Sequence, residues 1–162
     1  MKSGVMKHLL ILALLLMLQI WVFPMVHFWS ITPFIYLYAL IIWPAQWSVY
    51  ANLFLAFVAG LILDFSLDTP GMHSMSFTLV SYFRLPLLRW LSSKEDIAEP
   101  GEKSMGFLSF WKYAILLILI HHSTFFLLES FAFFSLPTLL FRIFVSSLAT
   151  LILCFFLERF RR

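Results

Sequence analysis

The feature that most constrains this chain is a series of long stretches without charge, each ended by a proline, a glycine turn or a polar run. A helix crossing a hydrocarbon layer of ~30 Å needs ~20 mostly apolar residues, fewer where interfacial aromatics flank it. Cut on that rule, the sequence gives six segments: Leu9 to Phe23, Pro33 to Trp43, Val49 to Leu63, His73 to Leu91, Trp111 to Leu128 and Pro137 to Leu157. Between them stand Pro24, Thr32-Pro33, Pro44, Thr69-Pro70-Gly71, the polar stretch Ser92 to Ser104, and Ser135 to Pro137. The expectation is an all-α polytopic membrane protein with one six-helix transmembrane domain over residues 1–162 and an inner loop over 92–110. Composition agrees: 62% of residues are apolar and 12% charged, about half the charge of a water-soluble domain. That balance argues against a cytosolic enzyme, a nucleic-acid-binding domain and a disulfide-built secreted scaffold. Cys154 is the single cysteine.

The basic residues report topology. With six spans and the N-terminus inside, Lys2, Lys7, Arg84, Arg89, Lys94, Lys103, Lys112, Arg159, Arg161 and Arg162 fall on the cytoplasmic side, and Arg142 is the exception among 11. Five spans would put the C-terminal arginines outside, so both termini are expected to be cytoplasmic. The first segment has the basic start of a secretory signal. Gln19, Trp21, Phe23 and Pro24 occupy the place of a small-residue cleavage site, however, and an uncleaved helix is expected.

Ionisable side chains within spans are expensive and mark candidate sites. Ala56, Gly60 and Asp64 form one stripe, and Asp68, Pro70, Gly71 and His73 follow in the next turn. The two carboxylates and the imidazole read either as a docking site or as a helix end with its cap. A metal there matches no known ligand spacing, and none is expected. In the fourth segment Ser74, Thr78, Ser81 and Tyr82 precede Arg84 at the spacing of a helix-packing face. His121 and His122 lie mid-span in the fifth segment. Neighbouring imidazoles point about 100° apart, so they are poor joint ligands, and neither haem nor another cofactor is expected. His122 shares a face with Glu129, and Arg142 sits at the matching level of the last segment, where an ion pair with Glu129 would explain the stray positive charge. Ser146, Thr150 and Cys154 form a small-residue stripe for close helix approach. Phe125, Phe126, Phe131, Phe133 and Phe134 read as exposed aromatics that a partner or the interface covers. No nucleophile stands beside a base at a recognisable spacing, so no catalytic residue is expected.

The stretch Gly60 to Arg84, with Gly-x-x-x-Asp, Asp-Thr-Pro-Gly-Met-His-Ser and Ser-Tyr-Phe-Arg, resembles the central signature of the MreD family of bacterial rod shape-determining membrane proteins. Pro33, Tyr36 and Tyr38, the His121-His122 pair and Glu129-Ser-Phe extend the resemblance over nearly the whole chain. It implies a non-enzymatic scaffold in the bacterial inner membrane that pairs with the single-span protein MreC and helps couple MreB filaments to peptidoglycan synthesis. Gly60, Asp64, Gly71, His73 and Arg84 match the motif and become candidates for fold or interface roles beside Asp68, His122, Glu129 and Arg142. MreD-like proteins in turn resemble the substrate-binding components of energy-coupling-factor vitamin transporters, which are six-helix bundles. That likeness implies an alternative, in which the outer loop Phe65 to Met72 covers a small-molecule site.

Overall fold

A computed structural model describes residues 2–26, 31–92, 97–130 and 135–161. They form α1 (Lys2–Trp21), a 3-10 turn (Phe23–Val26), α2 (Leu37–Ile42), α3 (Val49–Leu67), α4 (Met72–Leu91), α5 (Glu102–Met105), α6 (Phe107–Glu129) and α7 (Leu136–Arg161), with no β-strand among the described residues. Four stretches are long and apolar enough to cross a membrane: Gly4–Met25, Val49–Leu67, Phe107–Glu129 and Leu136–Arg161. The protein is therefore an all-helical, multi-pass membrane protein. α3 packs on α4, α4 on α6 and α6 on α7, while α1 closes against α2 and α3.

The other two expected spans have a different character. α4 matches the expected 73–91 closely in extent, but Ser74, Ser76, Ser81 and Arg84 make its buried face polar. The expected helix over 33–43 is helical only over Leu37–Ile42. Pro33 biases Thr32 away from helical geometry, and the chain stays open until a turn at Tyr36. All residues from Pro33 to Pro44 are buried. This follows from the membrane itself: backbone that leaves a helix at hydrocarbon depth persists only inside protein, where other groups satisfy it. Here those groups are side chains. The Gln19 amide donates to Pro33 O at 3.2 Å and accepts from Ile35 N at 3.0 Å, as a neighbouring strand would. Ser146 Oγ accepts from Thr32 N at 3.0 Å and Thr150 Oγ1 from Phe34 N at 2.9 Å. The stripe on α7 that reads in sequence as a helix-packing face thus binds an extended chain.

Farther along, the Tyr38 hydroxyl donates to Glu158 Oε2 at 2.8 Å. The segment therefore runs beside α7 from Ser146 to Glu158, about 18 Å of helix axis. Ala45 N then donates to Ala98 O at 3.0 Å, tying the segment to the 97–106 stretch. One end of the bundle gathers the start of α1, the 44–48 turn, α5 and the end of α7. The turn between α3 and α4 and the ends of α6 and α7 joined by Glu129 and Arg142 lie at the other.

The expected inner loop is more ordered than its charge suggests. Lys94, Glu95 and Asp96 lie outside the described residues, but Ile97 and Met105 are buried, and so is Glu102, which accepts from Trp111 Nε1 at 2.6 Å. α6 begins at Phe107, four residues before the expected start. The apolar run alone set that expectation, and it could not include the first turn.

Gln19→Leu leaves Pro33 O and Ile35 N without partners in the core. Thermal unfolding in detergent should show a loss of about 1–3 kcal/mol, against little change for Ser66→Ala, whose exposed hydroxyl only bonds back to Ile62 O.

Candidate functional site

The first turn of any helix leaves N–H groups unpaired, and α4 begins at Gly71, whose φ of 81° suits glycine but which brings no side chain to cap them. The cap comes from α3. Asp64 Oδ1 accepts from His73 N at 2.8 Å and Oδ2 from Ser74 N at 3.0 Å, placing a carboxylate on the positive end of α4. Thr69 Oγ1 donates to Asp64 Oδ1 at 3.1 Å, and His73 Nδ1 lies 3.3 Å from the same oxygen. Asp64 is 6% exposed, so this carboxylate serves α4 and not solvent. Asp68 behaves differently: it ends α3 in the left-handed region, with φ 55°, and its side chain is exposed.

Gly60 explains how the two helices approach so closely. A Cβ there would fall on Ser74 Cα, 2.6 Å from Ser74 N and 2.9 Å from His73 C. The spacing Gly-x-x-x-Asp then reads physically. Glycine lets the α4 backbone touch α3, and one turn later the carboxylate catches the N–H groups brought there.

Arg84 performs the converse task. It is fully buried, its Nε donates to Leu40 O at 2.8 Å and its Nη2 to Trp43 O, so a cation holds the carbonyl end of short α2. Tyr113 adds a hydroxyl to Ile41 O at 3.4 Å. On α7 the buried Glu158 receives Tyr38, the backbone N–H of Glu102 at 3.2 Å and Arg161 Nη2 at 2.9 Å.

The three histidines His73, His121 and His122 surround one ring, that of Phe34, at centroid distances of 5.5, 5.1 and 4.9 Å. His122 Nδ1 donates to Ile118 O at 2.9 Å, leaving Nε2 to accept from Thr150, 3.1 Å away; the same Thr150 oxygen accepts Phe34 N. A helix backbone, an imidazole and a hydroxyl thus hold the open chain in series. His121 Nε2 lies 2.7 Å from the Tyr36 hydroxyl and 3.2 Å from Ser76 Oγ. Among the described residues no group of His, Cys, Asp and Glu has the arrangement of a metal site.

Phe125 and Phe126, expected at an exposed aromatic patch, are instead buried against Phe34, at 4.7 and 6.3 Å. Phe131, Phe133 and Phe134 lie outside the described residues. Periodicity places Phe125 on the face of His121 and His122, and that face points inward. Glu129 and Arg142 meet at 2.8 Å, with the guanidinium carbon 4.6 Å from the centre of the Phe126 ring. Sequence reasoning missed Gln19, Glu158 and Glu102. Gln19 was legible as the one amide in a run of leucine, isoleucine and methionine; the two glutamates resemble ordinary solvated helix ends.

At the end of the bundle bearing the α3–α4 turn, a cavity of about 200 Å³ is lined by Gln19, Thr32, Phe34, Thr69, His73, Phe125 and Glu129 among others. Fold and site together define a multi-pass helical membrane protein whose intramembrane polar groups fasten one element to another. No family model, no curated protein and no solved structure matches the chain.

Gly60→Ala forces α3 and α4 apart and is expected to lower both the melting temperature and the level of protein in the membrane, whereas Gly4→Ala, with open space around it, should change neither. Reversing either charge of the Glu129–Arg142 pair should reduce the membrane level, and the double exchange, Glu129→Arg with Arg142→Glu, should restore it; immunoblots of membrane fractions read both.

Proposed function

We propose that this protein is a non-enzymatic scaffold of the MreD type in the bacterial inner membrane. In this reading it has six spans and cytoplasmic termini. It pairs with an MreC-like single-span protein and helps couple MreB filaments to peptidoglycan synthases. It works through helix, loop and lipid contacts, with no chemistry of its own and no nucleic acid. The observation that carries the reading is what the motif residues do. Gly60, Asp64, His73 and Arg84, where the MreD resemblance is concentrated, join α3 to α4 and α4 to α2, as a signature serving architecture would.

Two further observations support the span count and orientation. The 31–45 segment, buried from Pro33 to Pro44, accompanies α7 through the bundle, and α4 turns Met75, Leu79, Tyr82 and Phe83 outward as a lipid-facing flank. Lys7, Lys103, Arg159 and Arg161 belong to one end of the bundle, and Arg142 to the other, which suits a cytoplasmic placement of the first end.

The alternative is the substrate-binding component of a vitamin-type energy-coupling-factor transporter, with a bundle of that kind. The cavity beside His73, Thr32 and Gln19 favours it, because it opens at the end where such a component would meet its solute. Purification of the tagged protein from its native membrane in mild detergent, with mass spectrometry of what accompanies it, separates the two. An MreC-like partner together with peptidoglycan-synthesis proteins is the expected result. ATPase subunits or a tightly held small molecule would overturn the scaffold in favour of the transporter.

A further inference from the structure

A second cavity, of about 240 Å³, lies at the opposite end of the bundle from the one beside His73. Its cations come from three separate elements: Lys7 from α1, Lys103 from α5 and Arg161 from the last turn of α7. Gly101 and Ser104 complete the wall, and the cavity also touches Glu99 and Glu158. Glu158 is engaged and Glu99 is a half-exposed carboxylate, so the three cations of the lining exceed its two carboxylates by one. Glu158 already receives Tyr38, Glu102 N and Arg161, and Glu99 lies 3.8 Å from His8 Nε2.

Arg161 is fixed in place. Its Nη2 donates to Pro100 O at 3.1 Å and to Glu158 Oε1 at 2.9 Å, and the guanidinium occupies the space that a Cβ on Gly101 would need. Both bonds use one nitrogen, so the remaining N–H groups suit the oxygens of a phosphate. The helices that supply two of these cations also carry exposed apolar side chains: Val5, Met6 and Leu10 on α1, and Phe160, next to Arg161 in sequence and 88% exposed. A basic cleft between helix ends, bordered by lipid-facing side chains, is the setting in which anionic headgroups are held.

We infer that the cavity between Lys7, Lys103 and Arg161 binds a phosphate group, and that the group belongs to the headgroup of an anionic phospholipid whose chains lie along α1 and α7. The inference is independent of the scaffold reading. It asks only that the chain sit in a membrane.

The test is native mass spectrometry of the full-length protein released from vesicles of equal parts phosphatidylglycerol and phosphatidylcholine. A parallel sample in lipid-free detergent is titrated with inorganic phosphate and read by thermal shift. Phosphatidylglycerol should be retained in preference, and Lys7→Gln, an exposed position, should weaken its retention about fivefold, with Lys7→Gln/Lys103→Gln weaker still. Arg159→Gln, also exposed but outside the cavity, should leave retention unchanged, and an unchanged melting temperature would show that the variants fold. A thermal shift with inorganic phosphate that is lost in Lys7→Gln supports the phosphate chemistry and assigns the source to free phosphate wherever lipid preference is absent. Equal retention of both lipids with no such shift, or equal losses in Arg159→Gln and Lys7→Gln, would overturn the site.

Discussion

A peptide group that leaves a helix inside hydrocarbon forfeits several kcal/mol unless something other than water takes up its hydrogen bonds. This protein places such backbone, Thr32 to Tyr36, within its bundle, and much of the remaining architecture answers that demand. Gln19 on α1 supplies a donor and an acceptor, Ser146 and Thr150 on α7 supply acceptors, and Arg84 with Tyr113 receives the carbonyl end of the short helix that follows. Four elements far apart in sequence are drawn together by one stretch of chain that cannot satisfy itself.

The same economy governs the helix ends. Asp64 caps a helix it does not belong to, and Glu158 receives the backbone of the 97–106 stretch and the tyrosine of the buried segment. Hydrogen bonds to charged groups contribute about 1.5–3 kcal/mol each, and where the alternative is a bare peptide group in lipid the incentive to form them is large. In a chain with so few charges, those that lie within the bundle are fasteners. That is how Asp64, Arg84 and Glu158 can be nearly or wholly buried.

The apolar runs made the long helices legible, because length and hydropathy are local properties: α3, α4 and α7 begin at or within one residue of where the breakers put them. The stripe of Ala56, Gly60 and Asp64 was legible as a close approach, since 3.6-residue periodicity needs no partner to be seen. What periodicity could not supply was the identity of the partner. Asp64 meets the backbone N–H groups of α4, where the residues alone left a docking site and a helix end both open. Ser146 and Thr150 meet an open chain where a helix was expected, and Phe125 and Phe126 turn inward because Phe34 offers them a centre. The second segment is helical over less of its length than expected for a related reason: its apolar character marks burial, and hydropathy alone does not tell a buried open chain from a helix.

The position of Pro33 to Pro44 has a consequence for biogenesis. This segment is enclosed by groups made on either side of it, Gln19 before it and Ser146, Thr150 and Glu158 long after it. Until α7 enters the membrane, the N–H groups of Thr32 and Phe34 lack the acceptors that hold them in the finished bundle. The early helices can insert one after another, but the interior of this bundle becomes complete only when α7 arrives, so an early segment waits on groups made 114 to 120 residues after it.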